Sequence, residues 1–253
     1  MKIVATTPLP AVDRPNADRW NAARSRQKLE IDDRVHTTTK RDSYITVKDH
    51  KPQFMNNPKF RLINPTKSEL GMVSKQMLEQ IIIGVKNETQ LTQWKNSDAV
   101  ISWFNQLKNK EKLLFIQFDV VDFYGSISQV LVENSLTFAA RHTKVSNEEK
   151  ETILQAANSF LFSDNQEWIK KEGGTFDVTM GGYHGAEICD LVGLFLLSQL
   201  VDIIPSPHIG LYRDDGLAVS RAIGVFKKVG FKINTLVFPS TWHVRSHHKK
   251  FQP

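Results

Sequence analysis

HIGLYRDDGLAVS, residues 208–220, decides how this chain is read. Apolar residues flank Arg213-Asp214-Asp215-Gly216, so the stretch predicts a hairpin with strands over 208–212 and 217–220 and two carboxylates at its turn. A second apolar run, LLFIQFDV (113–120), reads as a buried strand ending near Asp119. A carboxylate at the end of a buried strand loses hydration unless a cation meets it. Three carboxylates drawn from two strands repel one another, and Mg²⁺ resolves that repulsion. It takes hard oxygen ligands and leaves its remaining positions to water or phosphate. Two such ions about 4 Å apart can activate an attacking hydroxyl and stabilise a leaving pyrophosphate. A plainer reading stands beside this one, because Asp is common at strand ends and Asp-Asp-Gly in tight turns.

Outward from these strands, the pattern is mixed helix and strand. YITVK (44–48) and FRLINP (60–65) read as strands joined by a Pro- and Asn-rich loop over 49–59. Helices are expected over 74–85, with Ser74 at the start, and over 96–110, 126–142 and 185–201. Another is expected over 146–162, where Ser146 and Glu149 form a capping box. Residues 167–180 look like a hairpin turning at Gly173-Gly174. A helix over 221–231 and a strand over 232–238 follow, and 239–253 lacks periodicity and is expected to be a disordered basic tail.

The chain of 253 residues is long enough to bury a sizeable core. Its single cysteine, Cys189, excludes an internal disulfide and a Cys-based zinc cluster. No apolar run reaches a membrane span and residues 1–15 do not read as a secretory signal, so an intracellular place, nucleus or cytoplasm, without membrane contact is expected. Charge is unevenly placed: net +6 over 1–80, −7 over 81–220 and +7 over 221–253. A uniformly cationic coat or histone-like protein would not show that acidic centre. Solvated surface is one account of the split. The other is a polyanion held by basic flanks around an acidic, metal-binding middle.

Taken in order, FIQFDVVDFYGSIS (115–128), GGYHGAEICDLVGLFLL (181–197) and LYRDDGL (211–217) resemble motifs A, B and C of reverse transcriptases, and YITVKDHKP with FRLINPTKSELGMVSKQML (44–78) resembles their fingers segment. The resemblance covers about residues 30–235 and is closest to retroelement enzymes. It implies an α+β fold: a polymerase palm, an antiparallel sheet with helices on one face, plus a fingers subdomain. The expected division is a lead-in over 1–30, fingers over 31–112, palm over 113–238 and the tail over 239–253. The implied activity is RNA-directed DNA synthesis, a nucleotidyl transfer from deoxynucleoside triphosphates on an RNA or DNA template with a primer. The implied cofactor is Mg²⁺, two ions, with Mn²⁺ as a substitute.

The same resemblance assigns roles by position. Asp119 and Asp214 would hold metal, with the Val120 carbonyl beside them and Asp215 in the adjacent position. Tyr124 would be the aromatic gate that clashes with a 2′-hydroxyl. Lys48 (or Lys51) and Arg61 would grip the triphosphate, Arg61 by a bidentate fork. Gly182 and Gly185 would let backbone approach the template base and nucleotide, and Lys227 or Lys228 would lie near pyrophosphate.

The chain also departs from the pattern. Gly125 stands where proline is usual, Gly182 where serine is usual, and only 38 residues follow Asp215, so the thumb is expected to be missing. Two other readings are therefore carried: a truncated fragment that binds nucleic acid without catalysis, and an RNA-dependent RNA polymerase, which Tyr124 disfavours.

Overall fold

The computed structural model describes residues 41–49, 54–65, 67–120, 123–157, 161–164, 166–168, 178, 180–221, 224, 225, 228 and 247–250. In chain order the described elements begin with β1 (Tyr44–Val47), β2 (Phe60–Ile63), α1 (Glu69–Thr89) and α2 (Ser97–Gln106). A 3₁₀ turn (Lys110–Lys112), β3 (Leu114–Asp119), α3 (Phe123–Ser126), α4 (Gln129–Ala139) and α5 (Asn147–Ala156) follow. The last are β4 (Leu161–Ser163), β5 (Gln166–Trp168), α6 (Gly185–Leu200), a 3₁₀ turn (Ser206–His208), β6 (Ile209–Tyr212), β7 (Asp215–Ser220) and β8 (His247–Lys250). The chain divides into two units, residues 1–79 with 145–188, and residues 80–144 with 189–253.

In the first unit β1 and β2 form an antiparallel pair in which Thr46 faces Arg61 and Val47 faces Phe60. The Lys48 N–H continues this ladder by donating to the Lys59 carbonyl at 2.8 Å. Helix α1 starts at Glu69, because the Ser68 hydroxyl accepts from the Gly71 N–H at 3.0 Å. The expected start at Ser74 is therefore displaced by more than a turn, and Ser74 lies fully buried within the helix. The Ser146–Glu149 capping box forms as expected. The helix it opens stops at Ala156 and not at 162, because Leu161–Ser163 pairs with Gln166–Trp168 as a small hairpin. The hairpin expected at Gly173-Gly174 lies outside the described residues.

The second unit is built on a four-stranded antiparallel sheet ordered β6-β7-β3-β8. Strand β3 alternates, with Ile116 and Phe118 buried on one face and Gln117 exposed on the other. On the first face Leu211 lies against α6, where Gly193 permits the approach: a Cβ there would stand 3.1 Å from the leucine. On the second face α2 and the preceding segment bring Trp94, Trp103 and Phe104 onto Phe115, Leu217 and Val219. The two tryptophans meet edge to face at 5.1 Å. Residues Thr92 to Trp94 run along the β6 edge, with Trp94 N–H donating to Leu211 and Leu211 N–H to Thr92, which blunts that edge.

The helix expected over 126–142 runs only over Gln129–Ala139 as α4, because the Ser128 side chain caps its start and α3 forms a separate turn before it. His247–Lys250, expected within a disordered tail, instead pairs antiparallel with β3 as β8. Strand pairing satisfies backbone groups without any hydrophobic periodicity, which is why a polar run gave no signal. The strand expected over 232–238 lies outside the described residues, as does nearly all of the helix expected over 221–231.

Candidate active site

The three acidic residues stand at one end of the second unit's sheet. Val120 donates its N–H to the Asp214 carbonyl at 2.9 Å, so these two form a hydrogen-bonded pair across the strands. Asp119 then faces Asp215 at the neighbouring position of the ladder. In antiparallel sheets that position is non-hydrogen-bonded, with Cα atoms about 4.5 Å apart and both side chains leaving the same face. The pair is thus Asp119 with Asp215, and Asp214 sits beside it in the turn. Among the described residues no group of three or more His, Cys, Asp or Glu side chains could hold a metal ion.

The β6–β7 connection is shorter than the four-residue turn expected from Arg213 to Gly216. Tyr212 faces Asp215 directly, leaving a two-residue loop of Arg213 and Asp214. Tight hairpins of this length require positive φ at the first loop residue, and Arg213 supplies it at φ 53°. The glycine is needed for another reason: a Cβ on Gly216 would overlap the Phe118 ring, which is buried directly opposite. On the face of Asp215 and Tyr212 a groove of about 580 Å³ extends to Trp94 and Lys95.

Tyr124 lies in α3, half-buried, with its ring against Phe123 at 6.4 Å. The Cys189 thiol on α6 lies near it. Burial first, and then the neighbouring Cys189, hold the Tyr124 hydroxyl well above its ordinary pKa. Burial likewise pushes the Cys189 thiol up, so both groups stay protonated. Arg213 lies near Tyr124, Cys189 and Asp190, and its guanidinium stacks over the Tyr212 ring at 5.6 Å. Asp190 is in turn anchored through its backbone: its carbonyl accepts from the Gln93 side chain at 2.6 Å, and Lys86 donates to the Gln93 carbonyl at 2.9 Å. Burial lowers the pKa of that lysine.

Lys48 and Arg61, the cations expected to grip the triphosphate, belong to the first unit. Register puts Lys48, Lys59 and Arg61 on one face of the β1–β2 ladder, with Lys59 directly opposite Lys48. Lys51 and Lys227 lie outside the described residues, and Lys228 is exposed. Met180 bridges Ile63 in parallel fashion and its carbonyl accepts from the Asn64 N–H at 2.8 Å. Gly181 follows with φ 100°, and a Cβ there would press on the Asn64 carbonyl at 2.8 Å. The glycine whose conformation the turn demands is thus Gly181, while Gly182 continues the turn and Gly185 opens α6. Gly125 is exposed with open space around it, so proline's absence there crowds nothing.

Sequence reasoning missed Cys189, Asp190, Arg213 and Lys59 as parts of these arrangements. Lys59 could have been found by counting the register from Thr46–Arg61. The nearness of Tyr124 to Cys189 joins residues 65 positions apart and had no local signal.

No protein-family model matches the sequence, and no curated protein matches it. Solved structures do match. The chain is similar to apo telomerase from Candida tropicalis (TM-score 0.59, 11% identity, 93% of this chain and 50% of that one). It is similar to the same enzyme truncated from its C-terminal domain (TM-score 0.55, 14% identity, 92% and 56%). A third match is Candida tropicalis telomerase in complex with a TWJ fragment of telomeric RNA (TM-score 0.53, 16% identity, 91% and 44%). The chain spans about half the length of the structures it matches. At these identities the likeness is one of fold: antiparallel sheets and helices arranged as in the polymerase fold of telomerase, a reverse-transcriptase-related enzyme.

Proposed function

We propose that the chain is the fingers and palm of an RNA-directed DNA polymerase of a retroelement, acting by nucleotidyl transfer on a primed template. The observation that carries this is the cross-strand pair Asp119–Asp215, with Asp214 in the adjoining two-residue turn. Two carboxylates facing each other across a ladder destabilise a sheet unless a cation lies between them. The donor set is all hard oxygen, and one or two carboxylates with substrate phosphates are the usual protein share of a Mg²⁺ site. The residues present therefore fit Mg²⁺, held by Asp119 with Asp215 or Asp214, and Mn²⁺ as a substitute. When bound, the metal would supply charge for the attacking hydroxyl and the leaving pyrophosphate.

The remaining roles belong to the chain's own groups. Tyr124, fixed at the start of α3, would face the sugar and exclude a 2′-hydroxyl. Lys48 and Arg61, now with Lys59, would neutralise the triphosphate. The glycine turn 181–185 would let backbone approach the bases. One of the telomerases similar to this chain was solved with an RNA fragment, which supports a nucleic-acid partner here.

The test is primer extension on an oligo(dT)-primed poly(A) template with Mg²⁺ and dTTP. Incorporation by the wild-type chain is expected, with loss in Asp119→Asn and Asp214→Asn. Wild-type incorporation no higher than in those variants would sink the proposal.

A further inference from the structure

The second unit's sheet has an end opposite the aspartates, and a larger cavity opens there. Strand β7 runs from Asp215 to Ser220, about 17 Å at about 3.4 Å per residue, and Ser220 lines a cavity of about 770 Å³. That volume is within the usual range for a small-molecule site. Its lining residues all belong to the second unit. On one side Asn109, at φ 53°, turns the chain out of α2, and the Lys110–Lys112 turn carries it back to Leu113 and β3. On the other, Ile203 and Ile204 follow α6 and donate to the Leu200 carbonyl at 2.9 Å. Three long-range side-chain bonds tie the walls together. Trp103 Nε1 donates to the Pro207 carbonyl at 2.8 Å, Thr92 Oγ1 to the Ser206 carbonyl at 3.2 Å, and Ser206 Oγ to the Gln90 carbonyl at 2.9 Å. Such cross-links fix the cavity's shape before anything enters it, so a ligand pays little to order it.

The lining is of two kinds. Leu107, Leu113, Ile204 and Val219 are buried and, with the buried ring of Trp103, form an apolar floor. Lys108, His208 and Arg221 stand exposed at the edge. Among the described residues no Asp or Glu lines the cavity. An apolar floor favours an apolar body, and an edge with cations and no carboxylate favours a negative group on it. We infer that this cavity is a ligand site, separate from the aspartates, for a small amphipathic anion: its apolar body lies against Trp103 and Leu113, and Lys108 and Arg221 hold its carboxylate, sulfonate or phosphate. Nothing in this depends on polymerase chemistry, so its failure would leave the polymerase reading untouched.

The test is equilibrium titration of the full chain with anilinonaphthalene sulfonate, a fluorescent amphipathic anion. One dye per chain should bind with enhanced fluorescence. Decanoate and decyl phosphate should displace it, and decanol, the same body without the charge, should need several-fold more. Lys108→Ala and Arg221→Ala should each weaken the dye about two- to fivefold, the range of an exposed ion pair, and the double variant more than either. Gln106→Trp, at an exposed lining position that ends α2, should fill the cavity and abolish binding. These positions are exposed, so the variants should melt as the wild type does. Lys144→Ala removes an exposed cation that does not line the cavity and should change nothing. No saturable binding by the wild type would overturn the inference. So would affinity unchanged in Gln106→Trp and in the Lys108/Arg221 double variant, or displacement by decanol as readily as by decanoate.

Discussion

Asp119 and Asp215 face each other with like charge, and Gly216 sits next to them against a buried phenyl ring. Both arrangements have measurable consequences. Like charges directly opposite in a ladder cost about 0.2–1 kcal/mol. Asp215→Asn should therefore raise the melting temperature of the metal-free protein slightly. It should also reduce the extra stabilisation that millimolar Mg²⁺ gives the wild type, because a ligand is lost. Thermal melts of both proteins with and without Mg²⁺ check this; a variant that is less stable without metal would argue against the opposed pair. Gly216→Ala forces a methyl group into the Phe118 ring, and overpacking of this kind costs about 1–3 kcal/mol. The urea midpoint should fall with the slope unchanged, and Phe118→Leu in the same chain should recover part of the loss. That Gly216 serves packing was not readable from Asp-Asp-Gly, a sequence whose commonest meaning is a turn. The meaning changed because a two-residue loop drew Asp215 and Gly216 into the strand, and loop length is fixed by how β6 and β7 meet.

Helix α6 shows the same limit from the other side. Its length and near-uniform apolarity were legible, since a helix buried all round needs no polar face. Its entry was not. The turn depends on Gly181 at positive φ beside the Asn64 carbonyl, a contact made 117 residues away in sequence. His184, just before the helix, is buried with its Nδ1 unpartnered in the structure. Burial depresses its pKa to about 4 from an ordinary 6.5. A positive charge there would also face the positive end of the helix dipole. The unfolded chain therefore binds a proton that the folded chain refuses between pH 6.5 and 4. Stability from this group is complete above pH 6.5 and falls as pH drops, by roughly 3 kcal/mol in full. Urea midpoints across that range should fall more steeply for the wild type than for His184→Gln, which cannot take the proton. Parallel slopes would show that His184 is hydrated or paired. The lost tail of α5 and the early start of α1 have the same kind of cause. Capping at Ser146 was a local signal and held, whereas Leu161–Ser163 found a strand partner and Ser68 outcompeted Ser74 as the cap.

The two units carry chemically different surfaces. Each unit's key residues lie in short strands with strong local patterns: Lys48 and Arg61 on β1–β2, the three aspartates at β3 and β6–β7. Position within a strand is written in a few neighbouring residues, so their placement on strands was legible. Proximities such as that of Tyr124 to Cys189 join remote parts of the chain and had to be seen. If the polymerase reading holds, the two surfaces separate kinetically. The cationic face of the first unit would act on the triphosphate in both ground state and transition state. Removing Lys59 or Arg61 should then raise KM for the deoxynucleotide with a smaller effect on kcat, the signature of lost uniform binding. A charge-assisted hydrogen bond contributes about 1.5–3 kcal/mol, so Arg61→Ala should raise KM by about ten- to a hundredfold. Asp119→Asn should instead lower kcat and leave nucleotide KM little changed, because its carboxylate acts on charge that develops during the displacement. Steady-state primer extension across a dTTP series reads both parameters in one experiment. If Arg61→Ala lowered kcat alone, the phosphate role of the first unit's hairpin would fall, and the exposed cations Lys59 and Arg61 would be left as solvated surface on a two-stranded ladder.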